Sequence, residues 1–187
     1  MFKLILLTGL CVLSACAPKT GGECNFRKTV YGKTLKHDTI PVELFIAKDF
    51  PADYTEHLLE AVKEINRDRE YLKISTGSFS KTKNGYNEIF LVNPWVQHER
   101  SFLAVTRAWW SVNSIVENDM LVNVQDFNYR SDGKSFKSLM VHELLHVLGM
   151  KHDDSDPESI MYPYTLVSQR EYMTEKEYKN LECAYGK

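Results

Sequence analysis

Residues 142–152 read HELLHVLGMKH and hold three of the chain's six histidines. His142 and His146 are four apart, so on a helix their rings stand on one face within reach of a single metal ion. Glu143 lies beside them. Gly149 is free to take the positive φ that ends a helix and turns the chain sharply, which would return His152 to the same point. Three imidazoles on a tetrahedral ion leave one position open for water, the pattern of a catalytic rather than a structural zinc site. The cysteines lie far apart in sequence and offer no sulfur-rich alternative. Zinc lowers the pKa of its water toward about 7 and polarises a carbonyl oxygen. Glu143 is placed to take the proton of that water as general base and to pass it to a leaving amine as general acid. The implied chemistry is hydrolysis of an amide. With six histidines and nine glycines in the chain, the whole pattern arises by chance roughly twice in 100,000 trials, which argues strongly against an incidental cluster.

A helix must carry this motif. Val141, Leu144, Leu145 and Leu148 fall on one arc of a helical wheel, and Leu139, His142, Glu143 and His146 fall on the opposite one. The spacing predicts an apolar back and a chemical front. Asp132-Gly133 reads as the preceding turn, with Asp132 or Ser135 as cap. Upstream, Ile40–Ile46 reads as a strand with Val42, Leu44 and Ile46 on one face. Pro51 opens a helix that Asp49 or Asp53 could cap, with Leu58, Leu59, Val62 and Ile65 at helical spacing. Tyr71–Ile74 is a short strand, and Thr76–Gly85 is a turn-rich loop ending in Asn84-Gly85. Asn87–Asn93, Leu103–Trp110 and Met120–Val124 supply further strands. The chain after Gly149 is polar and acidic, hence a loop. Thr174–Ala184 reads as a final helix, with Thr174 and Glu177 at capping-box spacing. The class is α+β.

Length and composition fit one domain: 187 residues, 43% hydrophobic and 12% aromatic. A balance of 23 basic against 25 acidic residues leaves a net charge of −2. It offers no footprint for nucleic acid and no basic block for an anionic membrane. Residues 1–15 carry Lys3 and then an apolar run from Leu4 to Leu13. A ten-residue helix spans roughly 15 Å, half of a bilayer's hydrocarbon core, so the segment reads as a signal peptide rather than a membrane span. Its end, Leu13-Ser14-Ala15-Cys16, resembles the lipobox of bacterial lipoproteins. That resemblance implies acylation of Cys16, and Ala17 in place of Asp implies the outer membrane. Residues 16–30 then form a tether and 31–187 the domain. The alternative is an ordinary secretory signal with an incidental cysteine. Either compartment is oxidising and leaves Cys24 and Cys183. One disulfide between them is the default reading; the other is Cys24 as a latency thiolate on the metal.

HExxHxxGxxH followed by Ser159-Ile-Met-Tyr-Pro163 resembles the metzincin zinc peptidases, with a Met-turn of the matrixin type. Carried over by position, the resemblance implies His142, His146 and His152 as zinc ligands, Glu143 as base, Gly149 as the turn and Met161 as an apolar floor under the metal. Asp153 is then a structural support, or else simply a loop carboxylate. The implied fold is zincin-like: a twisted five-stranded mixed sheet, a backing helix, an active-site helix and a small C-terminal subdomain ending in a helix. An antiparallel edge strand, here Leu103–Trp110, would bind extended substrate by β-augmentation. Trp109 and Trp110 would shape subsites there or lie in the core. Pro163 stands where some metzincins place a tyrosine, a feature shared with matrixins, and Tyr164 is a candidate wall of the specificity pocket. His37, His57 and His98 are isolated and read as surface residues. The expected function is a monomeric, lipid-anchored zinc endopeptidase acting on proteins or peptides, in the extreme on one envelope substrate. The competing expectation is a non-catalytic, zinc-stabilised lipoprotein that binds a partner in its cleft. The presence of Glu143 favours the enzyme, because a structural site needs ligands but no base.

Overall fold

The computed structural model of the chain describes residues 23–77, 82–95, 102–125, 136–163, 170 and 172–186. The signal segment, Cys16, His98, the Asp132–Ser135 turn and Tyr164 lie outside them. Among the described residues five strands and three helices follow in order: β1 (Val42–Ile46), α1 (Ala52–Ile65), β2 (Leu72–Thr76), β3 (Asn87–Val92), β4 (Ala104–Ser111), β5 (Ser114–Asn123), α2 (Phe136–Val147) and α3 (Glu175–Tyr185). The strands form one mixed sheet in the order β2-β1-β3-β5-β4. β1 pairs in parallel with β2 and β3, and β3 with β5, while β4 is antiparallel to β5. The expected α+β architecture is therefore present, with β4 as the antiparallel edge.

Alternation sets the faces. Val42, Leu44 and Ile46 are buried and their neighbours only half so, as period two requires for a strand with one face on a core. That face meets Leu58, Val62 and Ile65 of α1 and Val141, Leu144, Leu145 and Leu148 around α2. Leu59 does not join them: it is 49% exposed, and Ala61 takes the inward position. Pro51 itself occupies the N-cap of α1, with no side-chain cap, so neither Asp49 nor Asp53 plays that role. At α3 the sequence signal holds in full. Thr174 and Glu177 form a reciprocal capping box, which satisfies two of the orphan amides of a helix start.

The apolar back and the chemical front of α2 both lie within the fold, for Leu139, Glu143 and His146 are buried along with the leucines. The helix packs against α1 and against β4 and β5 of the sheet, and Ile160 lies over His142, so wheel position separates chemistry from packing without separating water from core. The stretch read as a tether is also partly domain. Phe26 is 1% exposed and bridges Met150, and the amide of Asn25 donates to Asn180 Oδ1. One aromatic in a polar run gives too little periodicity to mark this.

Cys24 and Cys183 are joined in a disulfide with their Cα atoms 5.7 Å apart, so Cys24 is not a thiolate free for the metal. The link ties the first packed segment to α3.

Candidate metal centre

The rings of His142, His146 and His152 converge. The Nε2 atom of His152 lies 3.2 Å from that of His142 and 3.0 Å from that of His146. Ligand nitrogens about 2.0–2.1 Å from one tetrahedral ion are about 3.3 Å apart, close to this spacing. Their tautomers fit as well. His142 Nδ1 lies 2.6 Å from the Ile160 carbonyl, and His146 Nδ1 lies 2.8 Å from the Met150 carbonyl. A ring that donates Nδ1–H to a carbonyl presents its Nε2 lone pair. Two such lone pairs converging on a third imidazole call for a cation between them. Burial lowers the pKa of all three histidines, helped at His146 and His152 by the charge of His142. Each is thus held as the neutral imidazole that a metal requires. The donor set fits zinc. No other group of His, Cys, Asp and Glu among the described residues converges in this way.

Gly149 makes the convergence possible. Its φ is 97°, and a Cβ there would collide with the Leu35 carbonyl oxygen and press on Ile115 and Phe26. Backbone conformation and close approach both demand glycine. The end of α2 above it is tied down by buried polar groups. Asn118 Nδ2 donates to the Val147 carbonyl at 3.2 Å, His37 Nε2 lies 3.1 Å from that carbonyl, and Tyr185 donates to the Leu148 carbonyl at 2.7 Å. These partners take up orphan carbonyls of the helix end. His37 is therefore no surface residue. It is 7% exposed, and burial pushes its pKa down to about 4. The sequence carries no sign of this, because the partner residues lie about 80 and 110 positions away.

Glu143 is 6% exposed and lies within electrostatic reach of His152. Burial raises its pKa, against the opposing pull of a hydrogen bond from Thr106. That hydroxyl, on β4, donates to Glu143 Oε2 at 2.6 Å. The positive charge of Arg27, half-buried, acts on Glu143, His146 and His152. Neither Thr106 nor Arg27 had a sequence signal.

The family model for matrixins matches residues 30–186. The chain belongs to the matrixin family. No curated protein sequence matches it. Among solved structures it is similar to high choriolytic enzyme 1, a hatching-enzyme zinc protease from the medaka fish Oryzias latipes. The identity is 11%, covering 87% of this chain and 94% of that one, with a TM-score of 0.47.

The Met-turn of this matrixin is anchored from both ends. Met161 is fully buried. Ile160 supplies the carbonyl beside His142, and the Met161 carbonyl accepts from the Asp153 amide at 2.9 Å. The turn is thereby fastened to His142 and to the neighbour of His152. Ser159 is 2% exposed; its hydroxyl donates to Glu177 Oε1 at 2.6 Å and accepts from the Met161 amide at 3.0 Å. Glu177 thus caps α3 and braces the Met-turn at once. The capping-box spacing reveals only the first role.

Asp153 is buried and ion-paired with Lys176 of α3, while Ser155 donates to it at 2.6 Å. It is a structural support, but for the C-terminal helix rather than the active-site helix. The tryptophans are not core: Trp109 is half-buried and Trp110 is 59% exposed. The buried tryptophan is Trp95, at 4% exposure. β4 pairs with β5 alone, leaving its outer edge open among the described residues.

Proposed function

We propose that this matrixin is a zinc endopeptidase that cleaves peptide bonds in proteins or peptides, with His142, His146 and His152 as ligands and Glu143 as general base. Zinc held by these imidazoles would supply Lewis-acid polarisation of the scissile carbonyl and acidify the attacking water. Glu143 takes the proton of that water and delivers it to the leaving amine. Thr106 holds one Glu143 oxygen and leaves the other for this exchange. Met161 floors the site, and the open edge of β4 receives an extended chain by backbone pairing. Trp109, half-buried on that strand, contributes to a subsite. The reading rests above all on a buried carboxylate, oriented by its own hydrogen bond, next to three imidazoles whose lone pairs converge. On sequence alone we also assign Cys16 as an acylated anchor at the outer membrane, and the protein as a monomer.

The test is turnover of a broad fluorogenic peptide library before chelation, after chelation and after return of one zinc equivalent. The expected result is cleavage that is lost with the metal and restored by it. Persistent cleavage in chelator, or none with full zinc occupancy, would contradict the proposal.

A further inference from the structure

The segment that enters the domain runs along the loop that carries His152. The Arg27 amide donates to the Gly149 carbonyl at 2.9 Å, the Lys151 amide donates to the Asn25 carbonyl at 3.1 Å, and Phe26 bridges Met150 antiparallel. On its other side the Arg27 carbonyl accepts from the Leu35 amide at 2.8 Å. Arg27 is thus bonded like a residue in a strand between two others. Phe26 turns into the core, so by alternation the Arg27 side chain leaves on the opposite face. There its guanidinium is half-buried. Its charge bears on Glu143, His146 and His152 and not on His142.

Among the described residues no acceptor bonds this guanidinium, and Glu143 feels its charge without pairing to it. A cation withdrawn from water ordinarily finds an anion, because an unpaired buried charge is costly. Glu143 does not fill that place. One of its oxygens is held by Thr106, and the other faces the attacking water in the reading above. A dication among the three imidazoles would add to the imbalance, since it repels Arg27 and leaves the cleft net positive. The missing member of the set is an anion that arrives from outside.

We propose that Arg27 is a specificity-determining residue that binds a carboxylate of the substrate, so that chains with an acidic group near the scissile bond are preferred. The proposal rests on the peptidase reading above. A guanidinium matches a carboxylate with two parallel hydrogen bonds, and desolvation on both sides strengthens the pair. The subsite lies off the catalytic centre, toward the C-terminal end of β4. Thr106 faces Glu143, whereas Trp110 pairs with Ile115, and Ile115 Cδ1 lies against Gly149, the backbone partner of Arg27. A chain antiparallel to β4 would bring to this end the side chains that precede the scissile bond. A parallel chain would bring those that follow it, its free C-terminus included.

The test compares peptide pairs that differ only by Glu against Gln at one position, scanned on both sides of the scissile bond. Neutral peptides with a free or an amidated C-terminus form the second arm. Wild type, Arg27→Gln and Arg27→Met are measured at matched zinc, with melting temperature alongside. The readout is the ratio of kcat/KM for acid over amide within each protein, which a general loss of activity does not move. The same ratio is read as Kd by fluorescence anisotropy on Glu143→Ala protein, with and without each Arg27 substitution. The expected wild-type ratio is roughly 10- to 100-fold at one position, and it vanishes in both Arg27 variants. Arg27→Met should melt no lower than wild type, since the charge it removes has no partner. The arm that shows the effect identifies the carboxylate as a side chain or a C-terminus. A wild type indifferent to charge at every position, or a preference that survives the loss of Arg27, would overturn the proposal. Absence of cleavage by the wild type, with Arg27-dependent binding of acidic peptides retained, would instead strike the peptidase reading and leave the carboxylate site standing.

Discussion

Replacing Thr106 by valine keeps the shape and the β-branching that suit strand β4 and removes one hydroxyl. That hydroxyl donates to Glu143 Oε2 at 2.6 Å, and Glu143 is 6% exposed. A hydrogen bond to a charged group contributes about 1.5–3 kcal/mol. The Thr106→Val variant leaves a buried carboxylate oxygen without that partner, so the glutamate side chain loses the restraint on its rotamer. If the lost interaction appears at the transition state, a cost of about 1.4–2.8 kcal/mol corresponds to a fall of roughly 10- to 100-fold in kcat. KM should change little, because the hydroxyl faces the base rather than the substrate. The assay is kcat and KM on the best fluorogenic peptide, with zinc content and melting temperature measured on the same samples. Thr106→Ser should restore most of kcat. An unchanged kcat in Thr106→Val would refute the reasoning, as would a loss of activity matched by a loss of zinc.

Further outcomes follow from the same geometry. Gly149→Ala should destabilise the fold by at least about 2 kcal/mol, from a left-handed conformation costing about 1–2 kcal/mol and the collision with the Leu35 carbonyl. It should also weaken zinc retention, seen by competition with a chromophoric chelator. Replacing Cys24 and Cys183 together by Ala opens a loop of 159 residues and should cost on the order of 5 kcal/mol by chain entropy, measured by urea unfolding. Two buried groups oppose each other in acid. The folded-state pKa of His37 is depressed to about 4, so its contribution to stability is lost as pH falls from about 6.5 toward 4. Burial raises the Asp119 pKa to about 6; the folded state then binds the proton first, and stability is gained as pH falls from about 6 toward 4. Each amounts to roughly 3 kcal/mol. Between neutral pH and pH 4, Asp119→Asn should therefore lose about that much more stability than wild type, and His37→Gln about that much less, in urea titrations at matched zinc. Slopes equal to the wild type's would contradict these assignments.

The metal centre was legible because its constraint is local. The three convergent histidines, Glu143 and the turn fall within eleven residues, and Gly149 is required by φ and by contact alike. The strands and helices were legible from their periodicity, and the capping box of α3 from its spacing. What escaped was set by partners distant in sequence. Thr106 meets Glu143 from 37 residues away, and Ser159 meets Glu177 from 18. His37 is buried because the end of α2 lies over it, not because of its own neighbours. The segment around Phe26 joins the domain through Met150 and the disulfide, neither of which leaves a local pattern. The tryptophans mislead for the opposite reason: large apolar residues default to the core, and here an edge strand and a hairpin tip hold two of them outward.

The central claim is that Glu143 performs chemistry at a metal held by His142, His146 and His152. Its most direct test is peptide turnover by wild type and by Glu143→Ala, each brought to one zinc per chain. The account predicts cleavage by the wild type and a loss of roughly three orders of magnitude or more in the variant, with zinc affinity retained. Equal turnover by both proteins, or zinc-replete wild type that binds peptides without cutting them, would contradict it.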